Sequence, residues 1–179
     1  IEEALPRLKA GQVFIPGHPM AGSDKTGVQH ASADIMRHAH YILVPNTSNA
    51  YLTFKDFLKT CGFRLLEMSS SEHDTRVAYA SHFPYLMASL IVSTYLKLAP
   101  EKQAQIYPVI AKGFYDTTRV SGSDPTWGRD ICLTNKDAIL SVLDAASQEL
   151  TDLKERIESD DADALDDFFS TVSSFRQSS

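Results

Sequence analysis

Gly17-His18-Pro19-Met20-Ala21-Gly22-Ser23 is the stretch on which the reading of the fold turns. Ahead of it Val13-Phe14-Ile15 is a short apolar run closed by Pro16, which predicts the end of a buried strand rather than a helix. Behind it the pattern is mostly helical. His18 is thereby expected in a tight loop at a strand's carboxyl end, where open α/β sheets bind ligands, with flanking glycines that let a ligand approach the backbone. By residue type alone, a His between Gly and Pro is more often a turn residue than a catalyst, so the loop needs support from the rest of the chain.

Upstream there is only half a helix over 2–8, a turn at Gly11 and that single strand. A lone strand cannot satisfy its own backbone groups, so the expectation is a C-terminal piece of a longer protein. The 179 residues suffice for one sizeable core, or for one domain plus part of another. Apolar content of 43% and charged content of 22% describe an ordinary globular protein. A net charge of −6 without a basic stripe argues against a nucleic-acid partner. Cys61 and Cys132 form no Cys-x-x-Cys and read as buried thiols of a reducing compartment. No basic-then-apolar leader opens the chain, and no run approaches the ~18 uninterrupted apolar residues of a membrane span. The expected location is cytoplasmic.

Downstream, His30, His38 and His40 lack a Cys or carboxylate at a zinc spacing and are expected at the surface, with no metal. Residues 41–44 read as a short strand stopped by Pro45, and 63–68 as another. Between them Asn46 to Asn49 supply N-cap chemistry for a helix over 50–60, with Leu52, Phe54, Phe57 and Leu58 toward its buried face and Cys61-Gly62 as its end. Ser69 with Glu72 three residues on has capping-box spacing, and opens the longest helical candidate, 72–98. Pro84 inside it removes a donor and should kink it, freeing the carbonyl of Ala80. Pro100 restarts a helix that could run to about Phe114, with a break at Pro108. Residues 113–130, dense in Gly, Ser, Asp and Thr yet carrying Arg119, Arg129 and Trp127, read as a polar binding loop, with Arg–Asp pairing as the alternative. Ile139, Leu143, Ala146, Leu150, Leu153 and Ile157 make one apolar stripe on a long helix, whose partner is either intramolecular or a second subunit. Leu165, Phe168, Phe169, Val172 and Phe175 form the apolar side of a last helix, and the acidic run 160–167 is a solvated face at its N-terminus.

Three blocks together resemble the C-terminal half of prephenate dehydrogenases, the enzymes of tyrosine biosynthesis. They are the glycine loop with Asp24-Lys25-Thr26-Gly27-Val28; His73-Asp74-x-x-Val77-Ala78-x-x-Ser81-His82-x-Pro84-Tyr85; and Gly113-Phe114-x-Asp116-x-x-Arg119 followed by Ser123-Asp124-Pro125, Trp127, Arg129-Asp130 and Asn135. The resemblance covers nearly the whole chain. It implies a mainly α fold: the helical dimerisation domain of a two-domain dehydrogenase, like the C-terminal domain of 6-phosphogluconate dehydrogenase, with a leftover Rossmann strand at the N-terminus. Residues 1–22 would be the tail of the nucleotide-binding domain, including the catalytic His loop, and 23–179 the substrate-binding and dimerisation domain. No G-x-G-x-x-G occurs in the sequence, so NAD would be bound mainly by a nucleotide-binding half outside it, and the fragment alone would be inactive.

The reaction so implied is oxidative decarboxylation, in which prephenate loses hydride to NAD and CO2 from its ring to become 4-hydroxyphenylpyruvate. By resemblance His18 is the base that takes the ring-hydroxyl proton, a role that suits a neutral imidazole. Arg119 matches the substrate-binding arginine, whose planar guanidinium pairs bidentately with a carboxylate. His82, His73 and Ser23 are assigned to the substrate with it, and Gly17 and Pro19 to the cofactor side. In an ideal helix His73 and His82 fall on roughly opposite faces, so the kink or a partner subunit must intervene if both reach the substrate. Two positions depart from the family pattern: Gly128 separates Trp127 from Arg129-Asp130, and Tyr85 stands where some members have His. The implied partners are prephenate and a second copy of the chain. The alternatives are an arogenate dehydrogenase, or a homodimerisation module of another two-domain dehydrogenase.

Overall fold

The computed structural model describes residues 1, 4–22 and 27–178. Its N-terminal part is a small mixed sheet of β1 (Gly17–Pro19), β2 (His40–Leu43) and β3 (Arg64–Glu67), in that spatial order. β1 runs antiparallel to β2, with His18 opposite Ile42, and β2 runs parallel to β3, with Ile42 opposite Leu66. The expected strand therefore sits later than 13–15, and His18 lies in an edge strand rather than in a loop. Residues 13–16 run beside the sheet without a ladder of their own, tied by bonds from Val44 N–H to the Pro16 carbonyl and from the Asn46 side chain to the Phe14 carbonyl. Proline lacks a donor, so Pro16 and Pro19 bracket the short ladder, and an edge strand tolerates Pro19. The N-terminal strand is not alone, because β2 pairs with it. Gly17 is required by close approach: a Cβ there would lie 2.6 Å from Cε1 of Tyr41.

The one-turn helix α1 (Ala33–Met36) precedes β2, and α2 (Asn49–Thr60) crosses from β2 to the parallel β3. Ser48 caps α2 by accepting from the Tyr51 N–H at 3.1 Å. The buried face of α2 is Tyr51 and Leu58, two turns apart, which pack on Leu43 with Ile15, Tyr41, Phe54, Phe63 and Leu65 around them. Leu52 and Phe57, expected on that face, point outward because each lies one residue off this line. The Tyr51 hydroxyl donates to Glu67 of β3, whose other oxygen meets Lys55 Nζ at 2.6 Å, so helix and sheet are joined by polar contacts as well. Burial and the bond to Glu67 push the Tyr51 phenol up to about 12. Gly62 follows α2 with φ +86°, the expected left-handed stop. Cys61, expected buried, is exposed, because it caps α2 where the chain turns outward.

The rest is helical. α3 (Ser70–Val77) opens with the predicted capping box between Ser69 and Glu72. A π-helical turn (Ala78–His82) follows, and α4 (Phe83–Leu96) restarts with Pro84 in its first turn. The interruption expected at Pro84 is therefore displaced upstream: Pro84 has no N–H for Ala80, and the Phe83 N–H reaches back five residues to the Ala78 carbonyl. α5 (Pro100–Ile106) ends in a 3₁₀ turn at Tyr107–Val109, close to the break expected at Pro108.

Residues 113–130 are not a loop. They form α6 (Lys112–Thr118), a 3₁₀ turn (Arg119–Gly122) and the start of α7 (Pro125–Thr134). The polar residues that suggested a loop are spent inside these turns: Thr118, Ser121 and Ser123 donate to carbonyls three or four residues back, and Asp124 caps α7 at the Thr126 N–H.

The long α8 (Lys136–Glu158) and α9 (Ala162–Ser178) close the chain. Ile139 and Val142 of α8 bury against Ala78 of the π turn, with Phe83, Leu86 and Leu143 around them. Further along the stripe Leu150 and Ile157 are exposed, as are Phe169, Val172 and Phe175 of α9. His30, His38 and His40 are exposed, as expected. Among the described residues no helix is long and apolar enough to cross a membrane.

Candidate active site

Two elements far apart in sequence converge on the N-terminal end of α3. The β1–β2–β3 ladder carries His18 there, and Met68, just beyond β3, is held by its N–H on the Leu43 carbonyl at 3.2 Å. One turn later His73 presents its ring: Nδ1 of His18 lies 2.8 Å from Nε2 of His73, with the ring centres 5.1 Å apart. Nδ1 of His73 in turn lies 2.8 Å from Oδ1 of Asp74. An open cleft of about 1030 Å³ adjoins them, with Gly17, His18, His73, Asp74, Asn135 and Lys136 on its wall.

His82 joins through Asn135, the residue between α7 and α8. The Asn135 side-chain amide donates to the Asp74 carbonyl at 2.8 Å and lies 3.2 Å from Nδ1 of His82. The atom facing a backbone carbonyl has to be the nitrogen, so the same NH₂ donates to the bare Nδ1 of His82 and leaves the proton of that ring on Nε2. The nine residues from His73 to His82 amount in an ideal helix to a half-turn offset; the π turn takes up an extra residue and shifts the phase by about 100°, the rotation of one residue. This explains how one amide reaches the carbonyl of Asp74 and the ring of His82 together.

His82 is buried, with 9% of its surface exposed. Burial, then the charges of His73 and His18, lower its pKa, against a smaller raising effect from Asp74. His18 keeps part of its surface open to the cleft, and its covered part, then His73, lowers its pKa as well. Both rings are thus biased toward the neutral form.

Behind His82 stands an aromatic wedge. Trp127 meets the His82 ring at 6.4 Å and the Tyr85 ring edge-on at 4.8 Å. Gly128 lies against Tyr85 so closely that a Cβ there would fall 2.3 Å from the phenol oxygen. The two departures from the family pattern, Tyr85 and Gly128, thus meet in space, and the bulk of one occupies the room left by the other.

Of the residues singled out from sequence, His18 and His73 touch, His82 is linked to them through Asn135 and Asp74, and Gly17 and Pro19 flank His18 in β1. Arg119 is exposed on its 3₁₀ turn, which packs against α4. Ser23 lies outside the described residues. Asp74 and Asn135 join the site beside them, and the sequence marks them only by adjacency, Asp74 next to His73 and Asn135 at the junction of α7 and α8.

The comparisons with known proteins show the family. Residues 69–171 match the family described as prephenate dehydrogenase, dimerization domain, and residues 1–67 match the prephenate dehydrogenase nucleotide-binding domain. The chain is 37% identical over 170 residues to a prephenate dehydrogenase of Bacillus subtilis, covering 91% of this chain and 44% of that protein. It resembles the crystal structure of prephenate dehydrogenase from A. aeolicus in complex with hydroxyphenyl propionate and NAD+, with TM-score 0.85 and 31% identity over 94% of this chain and 59% of that one. It also resembles Synechocystis arogenate dehydrogenase, with TM-score 0.84 and 25% identity over 99% of this chain and 65% of that one. The chain thus spans about half the length of the curated relatives it matches.

Proposed function

The chain belongs to the prephenate dehydrogenase family, and from that premise we propose that it supplies the catalytic histidine and the helical substrate-binding half of an NAD-dependent prephenate dehydrogenase. The observation that carries the reading is the pair of imidazoles 2.8 Å apart on the wall of an open cleft. In this reading His18 takes the proton from the ring hydroxyl of prephenate as hydride departs and CO2 is lost. A ring kept largely unprotonated near neutral pH by partial burial suits that task. His82, Arg119 and Ser23 bind the substrate, Arg119 through a carboxylate of the dianion, and His73 backs His18.

NAD, when bound, accepts the hydride. Gly17 and Pro19 beside His18, and a cleft of about 1030 Å³, fit the reacting end of such a dinucleotide, and we assign the rest of it to a larger nucleotide-binding domain. The exposed Leu150, Ile157, Phe169, Val172 and Phe175 of α8 and α9 support a homodimer.

The test is NADH formation by the full-length enzyme, offered prephenate and arogenate separately, with His18→Asn in parallel. Turnover of prephenate that falls at least about 100-fold in the variant is expected, the scale of a lost general base. Turnover of neither substrate, with NAD still bound, would overturn the reading. The likeness to an arogenate dehydrogenase favours the second substrate as the alternative, and the ratio of the two rates decides between them.

A further inference from the structure

We propose that Asp74 is a positioning residue that, through His73, fixes which nitrogen of His18 is free to act as the base. The proposal rests on His18 being the base. A carboxylate oxygen can only accept, so the 2.8 Å contact to Oδ1 of Asp74 places a proton on Nδ1 of His73. In the neutral ring Nε2 of His73 is then a bare lone pair. Nδ1 of His18, 2.8 Å away, must donate to it, and this leaves Nε2 of the neutral His18 without a proton.

The opposite arrangement fits the same distances between the two rings. There His73 would carry its proton on Nε2 and donate to Nδ1 of His18, whose own proton would move to Nε2. That His18 could offer a hydrogen bond to a substrate hydroxyl but could not take its proton. Between the two rings alone nothing favours one arrangement; Asp74 breaks the tie. When the hydroxyl proton arrives at Nε2, His18 becomes an imidazolium that still donates through Nδ1 to His73, with the carboxylate at the far end of the chain favouring the charge. No proton needs to travel to Asp74, which serves as orienter and counter-charge, one imidazole more remote than in a Ser-His-Asp triad.

Asp74 has a second tie that separates its two functions. Its backbone carbonyl, not its side chain, holds Asn135 and thereby His82. A side-chain substitution at 74 leaves that anchor in place. The Asp74 carboxylate is half exposed, with 51% of its side-chain surface open, so it can be replaced without leaving a buried hole.

The experiment compares Asp74→Asn, Asp74→Glu and His18→Asn with the wild type in the full-length enzyme, measuring kcat and KM separately. Asp74→Asn is expected to lower kcat by about 10- to 100-fold, the scale of loss when a carboxylate that orients a metal-bound imidazole is removed, with KM within about threefold. Asp74→Glu, which restores the carboxylate, is expected to recover most of kcat. A merely structural role would move KM or leave Glu as poor as Asn. An Asp74→Asn enzyme with kcat near wild type, beside an inactive His18→Asn, would overturn this proposal and leave the base assignment standing. Turnover retained in His18→Asn would overturn both.

Discussion

Gly128→Ala tests the packing behind His82. The glycine lies inside α7, where alanine would by itself be favoured by about 0.8–1 kcal/mol. The new carbon, however, would fall 2.3 Å from Oη, 2.9 Å from Cζ and 3.0 Å from Cε1 of Tyr85. Ordinary carbon contacts sit at about 3.5–4.0 Å, so the phenol has to move by roughly an ångström. The Tyr85 ring is held edge-on to Trp127 at 4.8 Å and 86°, so it cannot move alone; displacing it disturbs the tryptophan that borders His82. Overpacking of this kind costs about 1–3 kcal/mol, and after the helical gain the net destabilisation should be about 0–2 kcal/mol. In a Tyr85→Leu background the clash is gone, and the same substitution should stabilise by up to about 1 kcal/mol. The sign of the effect therefore depends on residue 85. The assay is urea unfolding of the four proteins of the double-mutant cycle, with an expected coupling of about 1–3 kcal/mol. A Gly128→Ala that stabilises the wild type as much as the Tyr85→Leu protein would refute the reasoning.

Leu43 of β2 is fully buried under α2, so Leu43→Ala should cost about 3–5 kcal/mol, read from the urea midpoint at unchanged slope; a loss below about 1 kcal/mol would mean the site collapses or is already open. His82 has a folded pKa below the 6.5 of the unfolded chain, so as pH falls through 6.5 the unfolded state takes up a proton first and stability is lost until the lowered folded pKa is reached. Unfolding free energy should therefore decrease from pH 7.5 to 5.5, and His82→Gln should flatten that decrease; an unchanged slope in the variant would assign the loss to other groups.

What was legible in the sequence is what depends on near neighbours. The Ser69–Glu72 capping box, the Ser48 cap of α2 and the glycine stop at Gly62 each involve residues within four positions, and each forms where expected. The errors fall where a distant partner decides. Residues 13–15 have the composition of a strand, but the ladder forms where β2 offers Tyr41 to Leu43, and the glycine that admits the Tyr41 ring is Gly17. Residues 113–130 have loop composition, yet their hydroxyls bond back within helical turns, which a reading of polarity alone cannot distinguish. In the site, His18 and His73 could be named from their motifs, whereas their contact spans 55 positions and depends on the whole sheet. Asn135 was harder still, because its two partners, the Asp74 carbonyl and Nδ1 of His82, come together only through the π turn.

The local and distant features meet at α3. The N–H of His73 bonds to the carbonyl of Ser69 at 3.0 Å, so the residue that caps the helix also receives the backbone of the site histidine. The Ser69 side chain accepts from Glu72, and the Glu72 carboxylate bonds back to the Ser69 N–H at 2.9 Å, which fixes the first turn from both ends. His73 is thus held in the best-determined turn of the helix, and Asp74, the next residue, directs its side chain to His73 and its carbonyl to Asn135. The order of the site follows from this. The capping box sets His73, and His73 with Asp74 sets His18 on one side. The carbonyl of Asp74 sets Asn135 and His82 on the other. Residues 69–74, readable as a helix start, are for that reason also the frame on which two distant histidines are hung.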